Sequence, residues 1–230
     1  MKLLEESLVS SGLTKTWRAG AIAGAVKIIL YGYQKGYSTA EIAFNLAQAE
    51  HETARWLQPI REGCSRHGPA GTDAQAIAAI AAAIRKGIIK SNYLTKTNGV
   101  AHYGRGLIQI TWLDNYLKFQ KLTGKPLVAN PDLALEWETS LFILYQGINK
   151  GLFRKHKFSD YVKPGTEPTL TAYANARNII NGDTKKYGAA IGSKALAYYQ
   201  LLKPLEKELL VAPQSDYWLD TFLSRLGIKR

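Results

Sequence analysis

Residues 38–52 read STAEIAFNLAQAEHE, and this stretch decides the fold class. Ser38 and Glu41 form an S-x-x-E capping box, in which the serine hydroxyl accepts from the amide of the third helical residue and the glutamate carboxylate accepts from the serine amide. Ile42, Ala43, Leu46, Ala47 and Ala54 then fall at intervals of three, four and seven residues, the spacing of one buried helix face. These signals predict a helix from about 38 to 56.

Working outward, the same period and its breakers predict further helices. One covers the Ala/Ile-rich stretch 73–88, another 110–122, and a third starts after Asn130-Pro131-Asp132 and continues to about 150. Others cover 168–180, 187–210 and the amphipathic 215–226, while Gly- and Pro-marked loops fall at 63–72, 95–106, 124–131 and 163–168. Before the capped helix, AGAIAGAVKIIL at 19–30 is apolar but interrupted by Lys27, and is shorter than the roughly 20 residues a membrane span needs. It is read as a helix in an N-terminal helical extension over 1–35, not as an export signal. The only strand signal is a short hairpin between Ala101–Gly106 and the 88–95 region. The expected class is mainly α, in a single catalytic domain over 1–230.

The chain has 230 residues with 46% apolar content, so a core that buries roughly 70–75% of the unfolded surface is available. Cys64 is the one cysteine, which excludes a disulfide scaffold. Thirty basic against eighteen acidic residues give a net charge of +12, which favours a polyanionic partner such as nucleic acid, an anionic membrane surface or bacterial cell wall. No zinc-finger spacing, basic zipper or RNP-type motif is present, so nucleic acid is not the expected partner.

Several motifs can be weighed on chemistry. His51-Glu52 starts like a zinc-protease helix, but Arg55 stands where the second histidine is required; His67, His102 and His156 show no ligand spacing, so neither a metal nor a cofactor is expected. The glycines of YGRGLIQ at 103–109 lack the third glycine of a dinucleotide loop, because Gln109 stands there, and no strand rich in Val or Ile precedes them. They are expected to turn the backbone beside a cleft, leaving Gln109, Thr111 and Asn115 on the first turns of a helix, with 111 and 115 on one face and 109 turned away. Cys64 and His67 could be paired, but no orienting group accompanies them.

Glycosidic cleavage needs one protonated and one ionised carboxyl group. Glu52, on a helix with Phe44, Leu46 and Trp56, is placed for partial burial, which favours the protonated form. Glu62, beyond Pro59 and beside Arg61, is placed to stay charged. Spacing alone leaves other readings open: Glu52 can be a surface carboxylate paired with Arg55, Glu62 an ordinary loop acid, and Glu50 lies closer than Glu52 to the apolar stripe.

The segments NLAQAEHET (45–53), LQPIRE (57–62) and YGRGLIQITWLDNY (103–116), in this order, resemble the active-site segments of family 19 glycoside hydrolases. They are most similar to the chitinase-like lysozymes of phage endolysins. VANPDLA (128–134) and IING (179–182) agree, so the resemblance covers roughly 38–205. It implies a lysozyme-like, two-lobed helical fold with a substrate cleft, and hydrolysis of β-1,4 links between N-acetylated amino sugars. Position by position it implies Glu52 as general acid and Glu62 as general base of an inverting reaction. Thr111 and Asn115 would hold water and substrate, Tyr103 and Gln109 would line the cleft, and Asn181 would bind a sugar. Arg105 would brace the glycine turn. The chain departs from the family at Trp112, where the endolysin branch often has Gly and plant chitinases His, and in Lys194, near a position held by Arg.

The expected function is therefore a monomeric endolysin, an N-acetylmuramidase acting on bacterial peptidoglycan. It would be made in the host cytoplasm of a bacteriophage infection and act on the wall at host lysis. The C-terminal amphipathic helix over 213–230 could contact an anionic envelope surface. The alternatives are a chitinase acting on chitooligosaccharides and a non-catalytic wall-binding or virion protein.

Overall fold

The computed structural model describes residues 2–97 and 99–211, so the helix expected over 215–226 lies outside the described residues. Within them the chain is mainly helical, as expected. In order the elements are α1 (Lys2–Ser10), α2 (Ala21–Gln34), α3 (Thr39–Glu52), β1 (Ile60–Arg61), α4 (Asp73–Arg85), β2 (Lys96–Thr97), β3 (Val100–Ala101), β4 (Arg105–Gly106), α5 (Leu113–Thr123), α6 (Trp137–Asn149), α7 (Leu170–Ala176), α8 (Ala189–Leu202) and α9 (Glu206–Leu210). Among the described residues no helix is long and apolar enough to cross a membrane.

The chain divides into two compact units, one formed by 1–47 together with 158–230, the other by 48–157. Helix α3 begins in the first and ends in the second. Its capping box forms as the sequence predicts. The Ser38 amide and hydroxyl both donate to Glu41 Oε2, at 2.8 and 2.7 Å, and the Glu41 amide donates back to Ser38 Oγ at 3.3 Å. Every residue from 42 to 50 is buried, so the apolar stripe belongs to a helix enclosed on all sides rather than a surface helix.

In the first unit, α2 is the apolar 19–30 segment, buried along most of its length. Phe44 of α3 packs against Phe158 and Tyr173 at ring separations of 5.4 and 6.0 Å, and the Tyr173 hydroxyl donates to the Ala40 carbonyl at 3.0 Å. Thr39 donates to Glu206 Oε1 at 2.5 Å and lies 3.0 Å from the Tyr33 hydroxyl, which ties the start of α3 to α2 and α9. The single helix expected over 187–210 is broken at Lys203–Leu205, where Pro204 has no amide to donate and a 3-10 turn intervenes.

In the second unit, α4 opens with a capping box of its own. Thr72 Oγ1 accepts from the Gln75 amide at 3.3 Å, and Gln75 Oε1 accepts from the Thr72 amide at 2.9 Å. Ala76 and Ile80 of α4 join Cys64, Ala101 and Tyr103 in a buried cluster, with Ile77, Ile84, Ile89, Tyr93 and Leu94 packed against it. The expected hairpin is corrected here. Ala101 pairs with Lys96, and Arg105–Gly106 pair antiparallel with Ile60–Arg61, giving two two-stranded sheets in place of one pairing with 88–95. The helix expected to start after Asn130-Pro131-Asp132 and continue to about 150 starts later, at Trp137, because Pro131–Leu135 form a 3-10 turn and Glu136 is extended.

Candidate active site

Glu52 is the last residue of α3, four residues short of the expected end. The cause is Thr53, whose hydroxyl donates to the Ala49 carbonyl at 2.6 Å and accepts from the Leu57 amide at 2.9 Å, folding the chain back on itself. Ala54, Arg55 and Leu57 consequently adopt φ values of 49°, 71° and 50°. Each such non-glycine residue costs on the order of 1–3 kcal/mol, a concentration of strain typical of functional segments. Arg55 therefore lies beyond the helix, and the i+3 spacing that would pair it with Glu52 on a continuous helix no longer applies. Glu52 is half-buried, whereas the rival Glu50 is only 5% exposed. Of the two, Glu52 is the more accessible.

Glu62 follows β1 directly. Its amide donates to the Gly104 carbonyl at 2.8 Å, and the Gly104 amide donates to Glu62 Oε2 at 2.9 Å. The other carboxylate oxygen, Oε1, accepts from the Tyr93 hydroxyl. Burial, and then the hydrogen bond to Glu62, push the Tyr93 hydroxyl well above its ordinary pKa, so it remains a donor. Each oxygen of the half-buried carboxylate thus has a fixed donor. A Cβ at position 104 would lie 2.9 Å from Glu62 Oε2 and 3.0 Å from Gln109 Oε1, so only glycine lets the backbone amide come this close.

Arg61 directs its hydrogen bonds away from Glu62. It donates to the Gly71 carbonyl at 2.7 Å and to Asp132 Oδ2 at 2.6 Å, whereas the Glu62 carboxylate is engaged by Tyr93 and Gly104.

The segment 103–112 forms a tight hairpin closed by the Arg105–Ile110 bridge, with Gly106 at φ 89°, Gln109 at 54° and Trp112 at 75°. A Cβ at Gly106 would come within 2.8 Å of the Ala134 carbonyl. Arg105 braces this hairpin, in keeping with its expected role. Only 3% exposed, it donates to Asp132 Oδ1 at 2.8 Å, Asp73 Oδ1 at 3.2 Å and the Ala101 carbonyl at 3.1 Å, and its guanidinium lies 3.7 Å from the centre of the Tyr103 ring. Burial pushes the Asp132 carboxyl up, but its bonds to Arg61 and Arg105 outweigh this and hold it below the usual carboxylate range.

Two expectations about this hairpin are corrected. Tyr103 is fully buried, with its hydroxyl on Asp73 Oδ1 at 2.5 Å, so it supports the hairpin from within instead of lining a cleft. Helix α5 begins only at Leu113, so Gln109 and Thr111 precede it instead of occupying its first turns. Gln109 Nε2 is held by the carbonyls of Ile60 and Gly106 at 3.0 and 2.8 Å. The Thr111 hydroxyl donates to the Gln109 carbonyl at 3.0 Å, and Asn115 Nδ2 donates to the Thr111 carbonyl at 2.8 Å. All three are half-buried, and Gln109 lies against Gly104, which holds Glu62.

Asn181 belongs to the first unit. It is exposed on the loop after α7, where Arg177 closes the turn through a two-point ion pair with Asp183 at 2.8 and 3.1 Å.

The Cys64–His67 pairing is not supported. Cys64 is buried in the α4 cluster while His67 is exposed, and burial raises the thiol pKa, so the reactive thiolate is disfavoured. Among the described residues no group of His, Cys, Asp or Glu side chains is arranged to hold a metal.

Sequence reasoning missed Tyr93, Asp73 and Asp132. Tyr93 is 31 positions from Glu62 in a stretch without period or motif, and nothing local marks it. The chain matches no family model, no curated protein and no solved structure.

Proposed function

We propose that the protein is a peptidoglycan hydrolase that cleaves the β-1,4 bond after N-acetylmuramic acid, with Glu52 as general acid and Glu62 as general base. The observation that carries this reading is the Glu62 carboxylate, oriented at both oxygens by Tyr93 and Gly104. A base must be held in register with the water it activates, and such fixed donors supply that order before substrate binds.

In the reaction, Glu52 gives its proton to the glycosidic oxygen as the bond to the anomeric carbon breaks. Glu62 takes a proton from a water attacking the opposite face of the ring, so the configuration inverts. The Thr111 hydroxyl, whose proton is committed to the Gln109 carbonyl, keeps its lone pairs free to accept from that water. This mechanism requires the two carboxyl groups to stand about 6.5–9.5 Å apart.

Peptidoglycan is favoured over chitin by the net charge of +12, because the wall carries peptide carboxylates and chitin is neutral. Release at host lysis and action as a phage endolysin belong to the same reading, which rests there on the sequence resemblance.

The direct test is release of reducing sugar ends from purified peptidoglycan. Glu52→Gln and Glu62→Gln should each lower the rate by at least about 10²-fold while leaving the thermal transition in place. Rates within a few-fold of wild type in either variant contradict the assignment.

A further inference from the structure

Trp112 is unusual in three respects. It is 47% exposed, it holds a φ of 75° that a bulky residue adopts only under strain, and its ring meets Tyr93, the residue bonded to the Glu62 carboxylate. The strained backbone is fixed by the Trp112 amide donating to the His102 carbonyl at 2.8 Å. Glycine would meet that backbone requirement at no cost, so the indole itself needs another explanation.

The explanation lies in what touches the ring. Tyr93 meets it edge-to-face, with centroids 5.3 Å apart and planes at 76°. Trp112 is nevertheless 47% exposed, so part of the indole remains available to a partner. The Tyr93 hydroxyl in turn is bonded to Glu62 Oε1. A single tyrosine side chain therefore connects the exposed Trp112 to the proposed base.

We propose that Trp112 is the stacking platform for one N-acetylated amino-sugar ring, at or next to the bond that is cleaved. The C–H groups of a pyranose face carry partial positive charge from their attached oxygens and match the negative face of an indole. Tyr93 acts here as a positioning residue. It braces the platform with its ring and the base with its hydroxyl, so that sugar and carboxylate are placed by the same side chain. This rests on the hydrolase reading, and it adds a sugar contact at a position where the sequence departs from the family it resembles.

The test uses the full-length protein with Glu52→Gln as background, titrated calorimetrically with the soluble N-acetylglucosamine tetramer. Trp112→Gly, which removes the indole but suits the backbone angle, should weaken binding at least about tenfold, and Trp112→Tyr should restore most of it. Tyr93→Phe should leave binding within about twofold, because its ring still braces the indole. On peptidoglycan with Glu52 restored, Trp112→Gly should raise KM, while Tyr93→Phe should lower kcat with little change in KM.

Equal binding by the parent and Trp112→Gly overturns the platform, as does failure of the parent to bind the tetramer. If wild type nevertheless cleaves peptidoglycan, the hydrolase reading survives that failure. Binding that depends on Trp112 in a protein that cleaves no glycan gives the opposite result: the platform stands and the hydrolase reading falls.

Discussion

Gly104 and Glu62 are joined by a reciprocal pair of hydrogen bonds, with the Glu62 amide donating to the Gly104 carbonyl at 2.8 Å and the Gly104 amide donating to Glu62 Oε2 at 2.9 Å. The first bond continues the pairing of β1 with β4, and the second aims the carboxylate. A structural ladder thus becomes a means of orienting a functional group.

Gly104→Ala should separate these roles. The new methyl carbon would sit 2.9 Å from Glu62 Oε2, the movable end of a side chain, so the carboxylate yields while the sheet remains. We expect kcat on peptidoglycan to fall about 10- to 100-fold, with stability changed by no more than about 2 kcal/mol. Wild-type turnover in this variant would mean that the carboxylate position is unimportant.

Tyr93→Phe removes only the donor to Oε1, since the ring can keep its edge-on contact with Trp112. The expected fall in kcat is about tenfold, measured as initial rates at saturating substrate. Tyr93→Leu, which also removes the brace, should lose more and should raise KM as well.

Arg105 is the buried centre of a hydrogen-bond network in the second unit. Because it is buried with Asp132, Asp73, Tyr103 and Tyr116 around it, Arg105→Lys cannot reproduce the fork of bonds and should cost about 2–4 kcal/mol by denaturant unfolding.

Asp132 gives this network a pH dependence of known sign. Its folded pKa lies below the ordinary aspartate value of 3.8, so its contribution is complete above that value and is lost as pH falls through the depressed folded value. Asp132→Asn should therefore be less stable than wild type at neutral pH, and the gap between them should narrow on acidification. Unfolding midpoints measured from about pH 6 down to about pH 2 check this, and a gap that widens in acid contradicts it.

Much of the fold was legible because helix signals are local. The capping box at Ser38 and Glu41 forms as read, and α4 starts at Asp73, the expected first residue. The errors arise where a side chain acts across the local pattern. Ala54, Arg55 and Trp56 all suit a helix, so nothing in their type reveals that the Thr53 hydroxyl diverts the chain after Glu52. Tyr103 and Arg61 carry polar groups that resemble site groups in a motif, yet the fold turns both toward carboxylates that brace the hairpin. Tyr93 was invisible for the complementary reason, being an unremarkable residue made important by a contact across the unit.

Cys64 is expected to take no part in the chemistry. With its thiol buried and its pKa raised, it should react with an aromatic disulfide reagent far more slowly in the folded protein than after denaturation. Cys64→Ala should retain glycan cleavage within about threefold, with a loss of stability of about 1–2 kcal/mol from the small cavity.

The most direct test of the central claim is a digest of purified peptidoglycan in heavy-oxygen water, followed by borohydride reduction and mass spectrometry, for wild type and Glu52→Gln. Reduced muramic acid ends that carry one heavy oxygen atom each are expected from wild type and should vanish in the variant. Anhydro ends without heavy oxygen would contradict the claim, because no water would then have been activated by Glu62, and intact glycan strands after wild-type digestion would contradict it altogether.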